Sequence, residues 1–297
     1  MLKSQLKFGV IGPSSEDARD FTEHNILEVE PKFKLPFFKQ SREVNNDKFA
    51  PVGKIQSMND CIAHGISHSM SFLGNKEGKS IEISRLDLYY LLSFLMRLKD
   101  ENKTLEEAIQ VDDVGGYIRR GLQALSHGIL PECFIKYAPE DYKTYTRIFR
   151  ENPWLIRFAE YAKAIKRIRL DYPGISDDAL INSIKKWCEA GIPIVFGLEL
   201  SSNYYNSFKT GLIEIPNYKT ETELGGHCMY IPAGYNDNKE LIRIGNSHPD
   251  WGDSKRLGYM RYDTIKFRRY QRRIIYDVWA IVGVEGVSDT EFGVKAK

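Results

Sequence analysis

A cysteine, a histidine and an asparagine, far apart in the chain, have the types and the order of a thiol acyl-transfer site. Cys61 follows a turn rich in Asn and Asp and opens a stretch in which apolar residues recur at helical spacing. A thiol at the start of a helix lies near unpaired backbone N–H groups and the positive end of the helix dipole. Both favour the thiolate, which is the nucleophile. His227, after two glycines, and Asn246 follow downstream, and they supply the base and the orienting group that such a nucleophile needs.

Composition and net charge favour a globular protein and argue against a dedicated nucleic-acid binder. The 297 residues suffice for one large domain or two ordinary ones, and 42% hydrophobic with 28% charged residues is typical of a globular protein. A net charge of +2 predicts no strong field, which argues against a dedicated nucleic-acid binder. The exception is the run KFRRYQRR, Lys266 to Arg273, with five basic residues. We interpret this short run as a solvated strand edge or loop; contact with RNA, DNA or an acidic partner is the alternative.

The cysteines and the apolar runs indicate a soluble protein in a reducing compartment. The four cysteines have no paired or CxxC spacing, so neither a disulfide framework nor a zinc knuckle is predicted. The N-terminus has no apolar core long enough for a signal peptide. The most apolar run, nine residues from Leu88 to Met96, is too short to span a bilayer. We therefore expect a cytoplasmic location and no membrane contact.

The elements that must position the three residues fall into two groups behind a polar arm. Residues 1–45 are punctuated by glycine and proline and are predicted to form an extended arm. Residues 46–160 carry helical patterns, including the helix that starts at Cys61. Residues 161–297 carry short strands separated by Gly, Asn and Asp turns, among them the buried strand Ile192–Leu200. Helices first and antiparallel strands second predict an α+β fold with two subdomains.

Five segments stand in one order along the chain and carry more specific motifs. They are Pro51 to Cys61 continuing into CIAHG, Gly115-Gly116-Tyr117, Ala190 to Val195, GGHCMYIPAGYNDN from Gly225, and IGNSHPDWGD from Ile244. In this order they resemble the papain family of cysteine peptidases, in particular its bacterial and viral members without disulfides. The resemblance covers about residues 35 to 285. It implies a helical left subdomain, an antiparallel, β-barrel-like right subdomain, and an active-site cleft between them.

The resemblance also implies a role for each candidate site residue. Cys61 would be the nucleophile, His227 the general base and acid, and Asn246 the group that orients the imidazole. Gln56 would point its amide at the developing oxyanion, together with the Cys61 backbone N–H.

Three further residues are predicted to contact the substrate. Gly115 and Gly116 would leave backbone groups open for strand-like pairing with an extended peptide. Trp251 stands one residue early relative to the tryptophan that shields the His–Asn hydrogen bond in the family, and we assign it to the substrate-binding set. The sequence also departs from the family at Gln56, five residues before Cys61 instead of six, and at His248-Pro249, where Trp-Gly is usual.

These observations predict a thiol hydrolase that cleaves peptide or isopeptide bonds of a peptide or protein substrate, with no cofactor. The altered flanks leave an alternative: a catalytically weak or inactive papain-like module that is a structural or binding component of a larger assembly, such as a phage or viral particle. Such a module would have an assembly partner and be virion-associated. A third possibility is an acyl or amine transferase with the same triad. Cys61, His64 and His68 lie on one helical face and are a fourth, metal-binding alternative, but only three ligands are evident, so no metal site is predicted.

The arm has two possible positions with different consequences. Residues 1–45 lying across the cleft would imply latency and self-processing, whereas residues docked on the back of the right subdomain would imply scaffolding.

Overall fold

A computed structural model describes residues 6–15, 17, 20–29, 34–138, 142–151 and 163–285. The predicted boundary between the two subdomains, near residue 160, lies outside the described residues, as does the end of the chain beyond residue 285. Within the described ranges, no helix combines the length and the apolar character needed to cross a bilayer.

Helices dominate the first half of the chain. The central helix α2, Cys61–Lys76, is buried along its first fourteen residues, from Cys61 to Gly74, because other elements pack around it. The helix α3, Arg85–Lys99, begins after Ser84, whose hydroxyl accepts a hydrogen bond from the Asp87 backbone N–H and caps the first turn. The other helices are α1 (Ile26–Val29), α4 (Leu105–Ala108), α5 (Ile118–Ser126), α6 (Tyr142–Glu151), α7 (Asp177–Glu189), α8 (Ser207–Thr210) and α9 (Tyr262–Lys266).

The second half forms a curled, mainly antiparallel sheet whose central strands are almost wholly buried. The strands are β1 (Glu43–Val44), β2 (Lys163–Arg169), β3 (Ile194–Ser201), β4 (Leu212–Ile213), β5 (Glu223–Ile231), β6 (Tyr235–Asn236), β7 (Leu241–Gly245), β8 (Leu257–Arg261) and β11 (Ile275–Glu285). Their order is β1-β6-β7-β5-β3-β11-β2, and β8 pairs with β7 and, in parallel, with β4. Helices precede antiparallel strands, so the predicted α+β class is confirmed.

The third helix is shorter than the pattern predicts. The sequence favours a helix from Val114 to His127, but α5 begins at Ile118. Gly115 has a φ of +83°, a left-handed conformation that interrupts a right-handed helix, and a Cβ there would lie 2.2 Å from the backbone oxygen of Gly9. The glycine is therefore needed for a close approach of two backbones.

The basic run forms a hairpin whose arginines pair with acidic side chains. Strands β9 (Arg268–Arg269) and β10 (Arg272–Arg273) are antiparallel neighbours. Arg268 and Arg273 both pair with Asp177, each at 2.6 Å. Arg269 pairs with Glu223 at 2.6 Å, and Arg272 pairs with Glu199. These pairs compensate much of the positive charge, which is the arrangement expected for a solvated edge.

The later part of the N-terminal arm packs on the sheet. The backbone N–H of Arg169 donates to the oxygen of Phe21 at 2.7 Å. The backbone N–H groups of Lys39 and Ser41 donate to the carboxylate of Glu189, at the end of α7. Strand β1 then pairs with β6. Residues 20–29 and 34–45 therefore contribute to the sheet-containing half of the fold.

Candidate active site

Cys61 lies where the first turn of α2 meets β5. Its Sγ accepts a hydrogen bond from the backbone N–H of Cys228 at 3.3 Å. Asp60 occupies the position before the helix, but its carboxylate caps no N–H of the first turn and lies 3.5 Å from Nε2 of His64. The thiol is thus held at a helix start, next to the residue that follows His227.

His227 is oriented by Asn246. The distance from His227 Nε2 to Asn246 Oδ1 is 2.8 Å, and Oδ1 also accepts from the Ser247 backbone N–H at 2.8 Å. A carbonyl oxygen only accepts hydrogen bonds, so Nε2 carries the hydrogen and Nδ1 of the neutral ring keeps a free lone pair. Nδ1 is buried and has no hydrogen-bond partner among the described residues. It is therefore available as a base.

A tyrosine and a second histidine extend this hydrogen-bond chain. Nδ2 of Asn246 donates to the Tyr204 hydroxyl at 2.7 Å, and that hydroxyl lies 2.6 Å from Nδ1 of His248. The His248 ring stacks on the His227 ring, with centroids 4.2 Å apart and planes inclined by 11°. All four side chains are buried, so the His227–Asn246 bond is screened from water.

Gln56 is held by its neighbours with its amide facing the arm. Its Nε2 donates to the backbone oxygens of Lys7 at 2.9 Å and Met58 at 3.1 Å. Its Oε1 accepts from the hydroxyl of Ser247, and its backbone N–H donates to the Ser247 oxygen. These bonds fix which end of the amide carries the N–H groups.

A partly buried hydrogen-bond network connects the turn before Cys61 to the Gly115-Gly116 loop. Asp113 Oδ1 accepts from the Asn59 backbone N–H at 2.7 Å and from the Tyr89 hydroxyl at 2.8 Å. The Tyr89 hydroxyl in turn accepts from the Gly115 backbone N–H at 3.0 Å. Sequence reasoning missed this network, since Tyr89 is indistinguishable from the apolar face of its helix.

The first part of the arm crosses the cleft and uses the backbone groups predicted to bind substrate. The Gly116 N–H donates to the Gly9 oxygen at 2.8 Å, and the Ile11 N–H donates to the Gly116 oxygen at 3.1 Å. The Val10 N–H donates to the Gly226 oxygen at 3.0 Å. The pairing strand predicted for a substrate is therefore residues 9–11 of the chain itself.

The arm also covers the predicted catalytic residues. The Phe8 ring packs edge-on against His227 and His248, with centroids 6.0 and 5.4 Å away. Burial raises the pKa of the Cys61 thiol, and the backbone amides of Cys228 and Gly9, which lie near the sulfur, only partly oppose it. The arm therefore lies over both Cys61 and His227.

A buried ionic cluster fixes the next part of the arm. The Ser14 backbone N–H and hydroxyl donate to Asp277 Oδ2 at 2.8 and 2.7 Å. Asp20 pairs with Arg119 at 2.5 Å and with Arg169 at 3.4 Å. Arg119 lies on α5 and Arg169 on β2, so Asp20 links the arm to both halves of the fold.

Comparisons with known proteins give structural matches only. The fold is similar to that of xylellain, a cysteine protease from Xylella fastidiosa, with 23% identity, a TM-score of 0.65, and coverage of 95% of this chain and 98% of xylellain. It is also similar to the cysteine protease and lectin-like domains of Cwp84 from Clostridium difficile (14% identity, TM-score 0.55, 89% of this chain and 60% of that one). Digestive procathepsin L2 from Tenebrio molitor matches with 13% identity, a TM-score of 0.55, and 94% and 79% coverage. No protein-family model and no curated protein sequence matches.

The chain has the papain-like fold. The predicted fold is thus confirmed, with its helical part and its curled antiparallel sheet. The roles of Cys61, His227, Asn246 and Gln56 stay predictions, but the papain-like fold brings all four to one site.

Within this papain-like site, His248 and Trp251 have different surroundings. Trp251 is buried, its indole N–H donates to the Ser207 hydroxyl at 2.7 Å, and its ring would contact a Cβ at Gly258. The aromatic ring stacked on His227 belongs to His248. Its position two residues after Asn246 was the available signal. The assignment of Trp251 to substrate binding stays a prediction.

The metal-binding alternative gains no support from the geometry. His68 Nε2 accepts from the Lys54 backbone N–H at 3.0 Å, and His64 lies against Asp60. Across the described part of the chain, no group of three or more His, Cys, Asp or Glu side chains could hold a metal ion.

Burial sets the protonation of the covered site. Burial raises the pKa of the Cys61 thiol to about 12, although the neighbouring backbone N–H groups oppose it. Burial, followed by the neighbouring His248, holds the pKa of His227 well below its usual range. A neutral thiol and a neutral imidazole are therefore the stable forms beneath the arm, and the ion pair expected of an active thiol site is suppressed.

The buried histidines predict loss of stability in mild acid. Burial lowers the pKa values of His64, His68, His227 and His248. Below pH ~6.5 the unfolded chain binds protons at these residues and the folded chain does not, so each contributes a loss approaching ~1.4 kcal/mol per pH unit. Burial raises the pKa of Asp20, and that of Asp277 to about 6; these two groups have the opposite sign but are outnumbered by the four histidines.

Urea unfolding at pH 7.5, 6.0 and 5.0 measures this effect. The free energy of unfolding should fall by several kcal/mol between the extremes. Replacing the exposed His24 by alanine should leave the slope unchanged. Equal stability at pH 7.5 and 5.0 would contradict the burial of neutral histidines.

Proposed function

We propose that the protein is a latent papain-like thiol peptidase that cleaves peptide bonds, and by the same chemistry isopeptide bonds, through an acyl-enzyme on Cys61. The observation that carries the proposal is the hydrogen bond from His227 Nε2 to Asn246 Oδ1. It leaves Nδ1 as the basic nitrogen, and the neighbouring Cys228 places its backbone N–H on the Cys61 sulfur.

The chemistry follows from these positions. His227 Nδ1 takes the thiol proton, and the thiolate attacks the carbonyl carbon of the substrate. Negative charge develops on the carbonyl oxygen, where the Gln56 amide donates. His227 returns the proton to the leaving amine, and a water molecule then hydrolyses the thioester. Asn246 keeps the imidazole in the tautomer and orientation that both proton transfers need.

Latency is the second part of the proposal. Residues 7–11 occupy the backbone groups of Gly116 and Gly226, the Gln56 amide and the face of His227. A substrate must displace them.

The experiment uses the full chain with the arm loosened by Gly9→Ala. Hydrolysis of an unfolded protein and of a peptide library should be measurable, and Cys61→Ala in the same background should abolish it. His227→Ala should lower turnover by at least ~10³, as loss of the base does in triad enzymes. If Gly9→Ala is inactive, or if Cys61→Ala retains the activity, the chain is a binding module and not this enzyme.

A further inference from the structure

Two side-chain N–H groups converge on one carbonyl oxygen at the site. The Lys7 oxygen lies 2.9 Å from Gln56 Nε2 and 3.0 Å from His248 Nε2. Lys7 is two residues from Gly9, whose amide is next to the Cys61 thiol. The arm therefore marks a position, two residues from the amide that faces Cys61, where a carbonyl oxygen has two donors.

The hydrogen on His248 is placed by its neighbours. A backbone oxygen only accepts, so Nε2 must carry the hydrogen that Lys7 receives. Nδ1 then accepts from the Tyr204 hydroxyl at 2.6 Å, while that hydroxyl accepts from Asn246 Nδ2. Each of these hydrogen bonds then has one donor and one acceptor, which requires the tautomer of His248 with its hydrogen on Nε2. Burial, which lowers the pKa of His248 to about 4, keeps that ring neutral at ordinary pH.

The body of the protein holds His248 independently of the arm. Its ring is stacked between His227, 4.2 Å away, and Phe208, 6.4 Å away and inclined by 18°. Its backbone N–H reaches Asn246 Oδ1 at 3.3 Å. None of these contacts involves residues 6–15, so the direction of the Nε2–H bond is preserved when the arm leaves.

We propose that His248 is a catalytic residue that donates from Nε2 to the same substrate carbonyl oxygen as Gln56, so that the two side chains form a paired oxyanion donor. This inference rests on the proposed peptidase function. The tryptophan usual at this position is replaced by a ring that still stacks on His227 and adds an N–H aimed at the reacting carbonyl.

The decisive variant is His248→Phe, which keeps an aromatic ring against His227 and removes the donor. In the full-length Gly9→Ala background we expect kcat to fall by ~10- to 100-fold, in the lower range for one oxyanion donor because Gln56 remains. Alkylation of Cys61 by iodoacetamide forms no oxyanion, so its rate should change by less than threefold. Gln56→Ala should show the same pattern, and His24→Phe, at an exposed histidine, should match the parent in both assays.

The two assays distinguish an oxyanion donor from a residue that only positions His227. If His248→Phe slows alkylation and turnover in parallel, His248 acts only by positioning the base, and the donor assignment is wrong. A loss of kcat of less than threefold with unchanged alkylation also overturns it.

The same substitution in the otherwise wild-type chain tests the hydrogen bond from His248 to Lys7 without measuring turnover. In the otherwise wild-type chain, His248→Phe removes one hydrogen bond from the Lys7 carbonyl, so the arm should open more often and Cys61 alkylation should accelerate by about threefold to tenfold. An unchanged rate overturns the donor geometry even if the Gly9→Ala protein hydrolyses nothing. Inactivity of Gly9→Ala by itself contradicts the proposed function, which keeps the two failures distinguishable.

Discussion

Replacing Gly9 by alanine is expected to convert the full-length chain from a latent to an active form. A Cβ on Gly9 would lie 1.8 Å from the backbone oxygen of Asn59, which the Asp113 network holds in place. The arm must therefore shift by more than 1 Å, roughly the gap to ordinary van der Waals contact. Such a shift breaks the bond from Gly116 and strains those on either side.

The expected rise in activity follows from the number of hydrogen bonds that hold the arm in the cleft. Five hydrogen bonds hold residues 7–11 to Gly116, Gly226, Gln56 and His248. At ~0.5–1.5 kcal/mol each, losing most of them weakens the closed state by several kcal/mol. We expect peptidase activity to rise by ~10²- to 10³-fold, since 1.4 kcal/mol corresponds to a factor of about ten.

Gly12 supplies the matched control. A Cβ on Gly12 meets no heavy atom within 4 Å, so Gly12→Ala adds the same methyl group to the same arm without a clash. Initial rates for wild type, Gly9→Ala and Gly12→Ala on one substrate test the prediction. Equal activity of wild type and Gly9→Ala, with both hydrolysing substrate, would show that the arm does not restrain the site.

The sequence predicted the fold and the grouping of the site residues because their signals are local. Cys61 opens an apolar-periodic helix, and His227 lies on a strand with a clear apolar pattern. The path of the arm depends instead on contacts between distant residues, such as Gly9 with Asn59 and Ser14 with Asp277. Neither partner shows a pattern in the sequence that would identify the other. The sequence therefore allows two positions for residues 1–45, and the described parts of the arm occupy both: residues 7–11 lie in the cleft, and residues 20–29 and 34–45 pack on the sheet-containing half.

The protonation of Cys61 is determined by burial and not by the helix start. A helix start favours the thiolate by about 0.3–1 kcal/mol, less than one pKa unit. Complete burial opposes ionisation by up to 3–5 units. While the arm is in place, the effect of burial therefore exceeds that of the helix start, and it raises the pKa of the thiol to about 12. The sequence shows that Cys61 stands at a helix start, but not that the N-terminal arm buries it.

Cys61 should consequently become reactive only when the arm is displaced. In the wild-type chain at about pH 6, an alkylating reagent should modify the exposed Cys133 before Cys61, because Cys61 is buried and protonated. In Gly9→Ala, water reaches the site, the imidazole of His227 accepts the thiol proton, and the ion pair forms. Cys61 should then be modified ~10²-fold or more faster than Cys133, because the His227 imidazolium stabilises the Cys61 thiolate, which is the reactive form.

Substitutions of His227 and Asn246 test whether the reactivity of Cys61 depends on the imidazole and its orientation. In the Gly9→Ala background, His227→Ala should erase the preference for Cys61, because it removes the charge that stabilises the thiolate. Asn246→Ala should only reduce it, because the imidazole remains but is less well oriented. The buried Cys188 and Cys228 should stay unmodified throughout and serve as internal controls for folding. Mass spectrometry of the modified peptides measures all four sites at once. If Gly9→Ala modifies Cys61 no faster than Cys133, no ion pair forms when the cleft opens, and a binding module becomes the better account of this fold.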